Sequence, residues 1–233
     1  MENCLYLDCP CTSFPRSFAR DYKETYRYPP PSTVYGLLLS LVGEQDLNAH
    51  LGVKLAIGVL GDDVPISRIL RKQRHHKFSK QHHGVYSTAK FSKPNFQEIL
   101  TDMQLAIRIS SEEESAPVTL SDRVATALST PETIARFGGL SLGESWAMVN
   151  GIRYFREVRE ADREKYASVR WLVKDDRGLI GLPVWIDRKT TRGTFQRFSV
   201  REAGAEFVDR SWVSIQGNAA SSQSSKKRRS RRR

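Results

Sequence analysis

The chain has 233 residues, 39% of them hydrophobic, and a formal net charge of +11. This length allows one large domain or two small ones with a true hydrophobic core, and it requires no disulfide or metal for stability. The sequence has no run of about 18 apolar residues, and its start lacks the basic-then-apolar pattern of a signal peptide. We therefore expect a cytoplasmic protein with no membrane partner.

The first 150 residues predict four strands and two helices, in the order strand–helix–strand, then strand–helix–strand. The predicted strands are residues 4–9, 53–60, 102–109 and 146–150. The predicted helices are residues 33–48, with Ser32 or Thr33 as the N-cap, and residues 119–136. This order is the split βαβ pattern of a ferredoxin-like or RRM-type fold. We therefore expect an α+β domain over residues 1–150, with an antiparallel sheet and two helices on one face.

After residue 150 the pattern changes to short strands separated by turns. The candidate strands are residues 169–173, 182–186, 195–200 and 207–213. They predict a small β-rich subdomain over residues 151–215. Residues 216–233 are rich in serine and then in cations, a composition typical of a disordered tail. Without the seven cations of residues 226–233 the net charge falls from +11 to +4, so the position of the remaining charge matters more than the total.

All three cysteines, Cys4, Cys9 and Cys11, lie at the start of the chain. An odd, clustered set argues against the disulfide framework of a secreted protein. The spacing does not fit a zinc site, and no fourth ligand is close in sequence. We expect reduced thiols beside the first strand, and neither a metal nor a cofactor.

Between the second and third predicted strands lies a basic excursion, residues 64–97, that contains no acidic residue. Cations and histidines are spread through it with aromatic residues such as Phe78, Tyr86 and Phe91. Cations neutralise phosphates and aromatic rings stack on unpaired bases, so this mixture favours RNA contact over a merely solvated loop, which normally mixes both signs of charge. The candidate RNA-binding residues are Arg71, Lys72, Arg74, His75, His76, Lys77, Lys80, His82 and His83.

A Gly-rich loop, residues 137–145, precedes the fourth predicted strand. Glycines allow a backbone to approach a phosphate closely, although the same composition is found in ordinary turns. The candidate RNA-binding residues of this loop are Gly138, Gly139, Ser141, Gly143 and Ser145.

Two motifs in the right order resemble CRISPR-associated protein family five, the Cascade subunit that holds the 5′ end of the guide RNA. The first is Tyr28-Pro-Pro-Pro-Ser-Thr-Val-Tyr-Gly-Leu-Leu-Leu-Ser-Leu-Val-Gly43, and the second is Leu142-Gly-Glu-Ser145. The resemblance covers about residues 1–150. The start Cys9-Pro-Cys-Thr-Ser-Phe14 is similar to compact myxobacterial and cyanobacterial variants, of type I-B-like systems, some of which serve transposon-guided insertion.

The resemblance implies a non-catalytic subunit of a type I CRISPR effector that grips the 5′ handle of the crRNA. It implies that the basic excursion is a thumb, wedged between the guide RNA and a neighbouring subunit of the repeated backbone. It also implies a position at one end of the backbone filament, beside the large subunit that reads the PAM, and it allows contact with target DNA near the PAM. Such an assembly serves antiviral defence or transposon-guided insertion.

The family places the loop of residues 11–28 near the RNA 5′ handle. On that basis, the basic side chains of this loop are candidate phosphate contacts. They are Arg16, Arg20, Lys23 and Arg27. The interleaved aromatic residues allow a second interpretation of equal weight, in which the loop covers the edge of the sheet.

Besides the crRNA-binding subunit, two other classes of function remain open, an endoribonuclease and a general RNA-binding protein. Some relatives process precursor guide RNA without metal, and Tyr86, Lys80 and His83 could form a comparable site, with histidine as the general acid or base. The paired histidines could also bind metal, but they have no carboxylate or cysteine nearby, so we expect no metal site. A general RNA-binding protein outside any CRISPR complex is the third class.

Overall fold

The computed structural model describes residues 4–16, 22–61, 63–74, 92–158, 169–203 and 210–217, with backbone alone for 72–74 and 92–94. The described chain is a mixed α/β structure around one curled, mainly antiparallel sheet. The strands are β1 (Cys4–Thr12), β2 (Tyr22–Lys23), β3 (Lys54–Leu60), β4 (Ile66–Arg74), β5 (Ser92–Ser110), β6 (Gly151–Tyr154), β7 (Val169–Lys174), β8 (Ile180–Ile186), β9 (Gly193–Ala203) and β10 (Val213–Ser214). The helices are α1 (Pro31–Leu41) and α2 (Leu120–Ser129), with single 3₁₀ turns at Pro131–Thr133 and Phe155–Glu157.

The main path of the sheet runs β6-β1-β5-β3-β7-β9-β8. Strand β5 is 19 residues long, roughly 60 Å, and it has two different sets of neighbours. Its second half lies between β1 and β3, while its first half pairs with β4 on one edge and with the short β2 on the other. The first half of β5 therefore extends out of the main sheet as the root of an arm.

Both faces of the central sheet are buried. Side chains alternate along β1: Leu5 and Leu7 pack in the larger core with the two helices, while Tyr6 belongs to a second cluster on the opposite face. Phe155 and Trp171 are buried in that second cluster. The expectation of a sheet with helices on one face is therefore incomplete, because the chain after β6 covers the other face.

The C-terminal strands β7, β9 and β8 continue the same sheet rather than forming a separate one. The join is the pairing of β3 with β7, where Gly58 lies opposite Trp171. A Cβ atom at Gly58 would press on the side chains of Val169 and Trp171, so the absence of a side chain allows the indole to lie across β3. The division of the chain near residue 150 stays a prediction.

Helix α1 is shorter than the predicted 33–48. It begins at Pro31 after Pro30, and the hydroxyl of Ser32 donates to the carbonyl of Pro183 at 2.9 Å instead of capping the helix. It ends at Leu41 because Gly43 takes a left-handed conformation, φ 71°, which reverses the chain in the way typical of a helix C-terminus.

Three strand predictions also differ from the structure. The strand predicted at 102–109 is only the second half of β5, which begins at Ser92 within the excursion. The strand predicted at 146–150 is displaced to β6, because residues 141–148 close a turn in which the Leu142 N–H donates to the Ala147 carbonyl at 2.9 Å. Of the strand predicted at 207–213, the structure describes strand pairing only at Val213, and residues 207–209 lie outside the described part. The other strands predicted after residue 150 are present as β7, β8 and β9.

Among the described residues, no helix is both long enough and apolar enough to cross a membrane. Cys4 and Cys9 are buried in β1, and burial raises the pKa of each thiol to about 11, whereas Cys11 is exposed. The two buried thiols are therefore poor nucleophiles at neutral pH.

Candidate nucleic-acid interface

The arm root is the ribbon formed by β2, residues 66–71 of β4 and residues 95–100 of β5. Because side chains alternate between the faces of a strand, the register divides the ribbon into two unlike surfaces. We call one the polar face, with Lys23, Arg71 and Gln97, and the other the apolar face, with Leu70 and Phe96. One ribbon thus presents cations and an amide on one face and large apolar side chains on the other.

On the polar face a connected set of side chains surrounds Glu144. The Arg71 Nη1 donates to Gln97 Oε1 at 2.6 Å, and the guanidinium lies 5.6 Å from the centroid of the Trp146 ring. The indole Nε1 donates to Glu144 Oε2 at 2.9 Å, and Gln97 Nε2 donates to the same oxygen. The Lys23 Nζ lies 3.5 Å from Glu144 Oε1. A cation from β2 thus pairs with Glu144 directly, and a cation from β4 contacts the two side chains that donate to it, Gln97 and Trp146.

The Gly-rich loop reaches this face because it packs on the end of β1. Gly143 bridges to Ser13 with φ 94°, and a Cβ atom there would collide with the Ser13 carbonyl oxygen and lie 3.1 Å from the Phe14 ring. The Thr12 hydroxyl donates to the Leu142 carbonyl. The glycine is therefore required for the close contact that carries Glu144 to the arm root.

The loop between β1 and α1 is attached to the same ribbon. The Glu98 carboxylate accepts the Tyr22 hydroxyl at 2.7 Å and the Thr25 N–H at 3.1 Å. The hydrogen bond to Glu98 raises the pKa of Tyr22, which makes its phenol a weaker acid. Phe14 is buried in the core, while Arg16 lies exposed, 3.4 Å from Glu24. Both interpretations of this loop are thus compatible with the structure, with aromatic rings inside and cations outside.

The apolar face is exposed. Leu70 and Phe96 are direct cross-strand partners, and 61% and 49% of their surfaces are accessible. Arg68 lies beside them, with its guanidinium 5.8 Å from the Tyr22 ring centroid. Paired large apolar side chains at a protruding root indicate a binding surface more than a solvated one.

The structure brings together only some of the predicted RNA-binding residues. Lys23, Arg71 and Gly143 meet at the polar face, with Ser145 exposed next to Glu144. Arg27, Gly138 and Gly139 are exposed and Ser141 is half-buried, but none of these four joins the set around Glu144. Lys72 and Arg74 are described by backbone alone. Arg20, His75, His76, Lys77, Lys80, His82 and His83 lie outside the described residues. That any of these residues binds RNA stays a prediction.

Residues that the sequence analysis missed organise the site. Glu144 and Trp146 lie on either side of Ser145, which was itself a candidate, and Gln97 is the last residue of the basic excursion. Asn95 lies opposite Arg71 in the register, and its buried Oδ1 has no hydrogen-bond partner among the described residues. Among all the residues that the structure describes, no group of three or more His, Cys, Asp or Glu could hold a metal ion.

Comparisons with known proteins agree on one family. A family model described as CRISPR-associated protein (Cas_Cas5) matches residues 4–143. The CRISPR-associated protein Cas5 of Myxococcus xanthus (strain DK1622) is 38% identical over 191 residues, which cover 82% of this chain and 85% of the relative. Sequence similarity therefore extends beyond the two motifs and past residue 150.

Solved structures show a shared fold. One chain of a CRISPR RNA-guided surveillance complex matches with a TM-score of 0.57 and 17% identity, over 87% of this chain and 90% of that one. Another solved structure, a crystal structure of a Cas protein, matches with a TM-score of 0.51 and 15% identity, over 87% of this chain and 95% of that one.

Proposed function

Because this chain belongs to the Cas5 family of CRISPR-associated proteins, we propose that it is a non-catalytic crRNA-binding subunit of a type I Cascade effector. In this proposal it grips the 5′ handle of the guide RNA at the polar face and closes one end of the repeated backbone, in the prokaryotic cytoplasm. It supports RNA-guided DNA targeting, in which base pairing supplies sequence specificity and the protein contacts the backbone.

The observation that carries the proposal is the convergence of Lys23 and Arg71 on one partly exposed surface. Lys23 is 30% exposed, and the Arg71 guanidinium has N–H donors beyond the one that Gln97 engages. Cations on an accessible surface supply phosphate contacts.

The burial of both sheet faces supports this location. An RRM binds RNA by stacking bases on aromatic residues of an open sheet. Here Tyr6 and Trp171 lie on the face opposite the helices, but 6% and 0% of their surfaces are accessible. RNA binding is therefore assigned to the arm root at the sheet edge, and not to the face of the sheet.

We also propose that β1, α1, β3, β5, α2 and β6 form a ferredoxin-like unit with the arm inserted before the second half of β5. The four strands of this unit follow one another along the chain as β1, β3, β5 and β6. In the sheet they lie side by side in the order β6-β1-β5-β3. All three pairings are antiparallel. This is the arrangement expected of a split βαβ fold.

The apolar face is the surface that we assign to the neighbouring backbone subunit. Exposed Leu70 and Phe96 provide apolar contact area, and Arg68 provides a cation at the rim. An arm with RNA on one face and protein on the other can act as a wedge between them. Contacts with the large subunit and with target DNA near the PAM complete the proposed assembly.

The test is the salt dependence of handle-RNA binding. Changing Arg71, Lys72, Arg74 and Lys77 together to Ala should reduce the log–log slope by roughly 0.7 for each phosphate that is no longer neutralised. A matched control changes four exposed cations in the turns of the C-terminal strands, Arg177, Arg188, Lys189 and Arg192, which should leave the slope unchanged. An unchanged slope in the first variant would contradict the proposal.

Two further arms of the experiment separate the alternatives. Precursor repeat RNA incubated with the purified protein in EDTA should remain intact, whereas cleavage would support the endoribonuclease. Unrelated RNA of equal length should compete poorly with the handle when the sister subunits are present. Equal competition would support a general RNA-binding protein.

A further inference from the structure

A carboxylate in the middle of a proposed phosphate-binding surface requires an explanation. The Glu144 side chain is 22% exposed and lies between the two cations of the polar face. A negative charge there repels a phosphate at short range. If Glu144 had no other effect, its removal would strengthen RNA binding.

The two oxygens of Glu144 have different partners. Oε2 accepts from the Trp146 indole and from the fully buried Gln97, so it faces the inside of the root. Oε1 faces Lys23 at the surface, 3.5 Å away. One carboxylate thus ties the Gly-rich loop to β5 and, through its outer oxygen, to β2.

The inner oxygen also orients Arg71. Because Gln97 donates its Nε2 to Glu144, its Oε1 is directed at Arg71 and accepts the guanidinium Nη1 at 2.6 Å. The indole that donates to Glu144 lies under the same guanidinium, 5.6 Å from it. One hydrogen-bonded route, through Gln97, and one route that ends in a cation–π contact, through Trp146, therefore lead from Glu144 to Arg71, and one ion pair leads to Lys23.

We propose that Glu144 is a positioning residue, which holds Lys23 and Arg71 as a preorganised pair for one phosphate of the RNA. This inference rests on the proposed function of the polar face. Glu144 touches no RNA in this role. It reduces the conformational freedom of two long cationic side chains, which otherwise lose that freedom when they bind.

The test is whether removal of the Glu144 charge weakens or strengthens the binding of handle RNA. Glu144→Gln should weaken handle-RNA binding by roughly tenfold, the size of one charge-assisted hydrogen bond. Glu24→Gln removes the same charge from the same region, but among the described residues this carboxylate pairs with exposed Arg16, so binding should be equal or stronger. Unchanged or stronger binding by Glu144→Gln would overturn the proposal.

A double-mutant cycle separates positioning from general loss of structure. Glu144→Gln and Lys23→Ala should be non-additive in RNA affinity, because each disrupts the same pair. Additive effects would overturn the proposal. If Glu144→Gln fails to fold, Trp146→Phe removes one donor to Glu144 and keeps a ring under Arg71. It should weaken binding by a few-fold, and no change would overturn the proposal.

The cycle also distinguishes this inference from the proposed function. If Lys23→Ala and Arg71→Ala leave handle-RNA affinity unchanged, the assignment of the polar face to RNA fails. If both weaken binding while Glu144→Gln strengthens it, the face binds RNA and only the role of Glu144 is wrong.

Discussion

Glu144 and Glu114 are both carboxylates that connect loops through hydrogen bonds, but they lie near opposite ends of β5, roughly 40 Å apart along the strand. The Glu114 side chain is fully buried. It pairs with His50 Nδ1, and its two oxygens accept the Leu120 N–H at 3.0 and 3.1 Å. Glu144 is partly exposed, and its outer oxygen contacts a lysine that is itself accessible.

The network around Glu114 is closed. Arg123 donates to His50 Nε2 at 2.9 Å, so that nitrogen is an acceptor and the proton of the ring lies on Nδ1, towards Glu114. Arg123 also donates to Glu44 at 2.6 Å and to the Val42 carbonyl at 3.0 Å. The Glu114 carboxylate and both ring nitrogens of His50 have partners inside the protein, whereas Lys23 and Arg71 retain donors for another molecule. The first network serves folding, and the second is suited to binding.

The largest expected effect is that of Glu114→Ala on stability. Removing one member of a buried charged network leaves its partners unsatisfied and typically costs about 3–5 kcal/mol. The unfolding free energy in urea measures it. Glu113→Ala is the matched control, because this neighbour is 58% exposed and pairs with Lys54 at the surface, so its loss should cost under about 1 kcal/mol. Equal losses in the two variants would refute the contrast between buried and exposed carboxylates.

The second-largest expected effect is a loss of stability at acid pH, where the ion pair between Glu44 and Arg123 is lost. The Arg123 hydrogen bond is the main cause that lowers the pKa of Glu44 from 4.5 to about 2. A lowered pKa contributes stability that is fully present above about pH 4.5 and is lost as the pH falls towards 2, here at most about 3 kcal/mol. Unfolding free energies of the wild type and Glu44→Gln should converge over this range. A constant difference between them would count against the pairing.

The side chains around Glu144 should show the reverse, with a smaller effect on stability and a larger effect on RNA binding. Lys23→Ala combined with Arg71→Ala should lower the unfolding free energy by less than Glu114→Ala does, by about 1–3 kcal/mol, because the main cost is the buried Gln97 Oε1 that loses its donor. The slope of log affinity against log salt for handle RNA should fall by roughly 0.7, because the two cations together neutralise one phosphate. A large loss of stability with an unchanged slope would make this site structural as well.

The order of the elements could be predicted from the sequence because it depends on local signals. Prolines and Gly43 bound α1, apolar runs mark β3 and the second half of β5, and the Gly-rich loop follows α2. The bounds of the first half of β5 could not be predicted, because it overlaps the basic excursion and includes Pro94, and the apolar pattern begins only in the second half. Pairing with β4 and β2 supplies the hydrogen bonds that make it a strand.

The candidate site was harder to predict for a physical reason. Cations and glycines can be recognised one segment at a time, and Arg71 and Gly143 were found that way, whereas Lys23 was found from the family resemblance. Glu144 could not be found that way, because its importance depends on partners distant in sequence, at positions 23 and 97. The cover over the second sheet face depends in the same way on Phe155 and Trp171 meeting Tyr6 across the sheet.

The smallest expected effect concerns the basic tail, residues 226–233, which lies outside the described residues. The described chain ends at Gly217, which lies near Leu51 and Asn48 of the loop that also carries His50. Truncation after Gly217 should leave the fold and the register of the guide RNA unchanged. Affinity or association rate should fall only at low salt, because salt screens diffuse attraction to phosphates. Binding measured across a salt series tests this, with the truncated chain carrying the Lys23 and Arg71 substitutions as the comparison. If truncation prevents complex assembly at high salt, the tail makes a specific contact, and binding is not confined to the arm root.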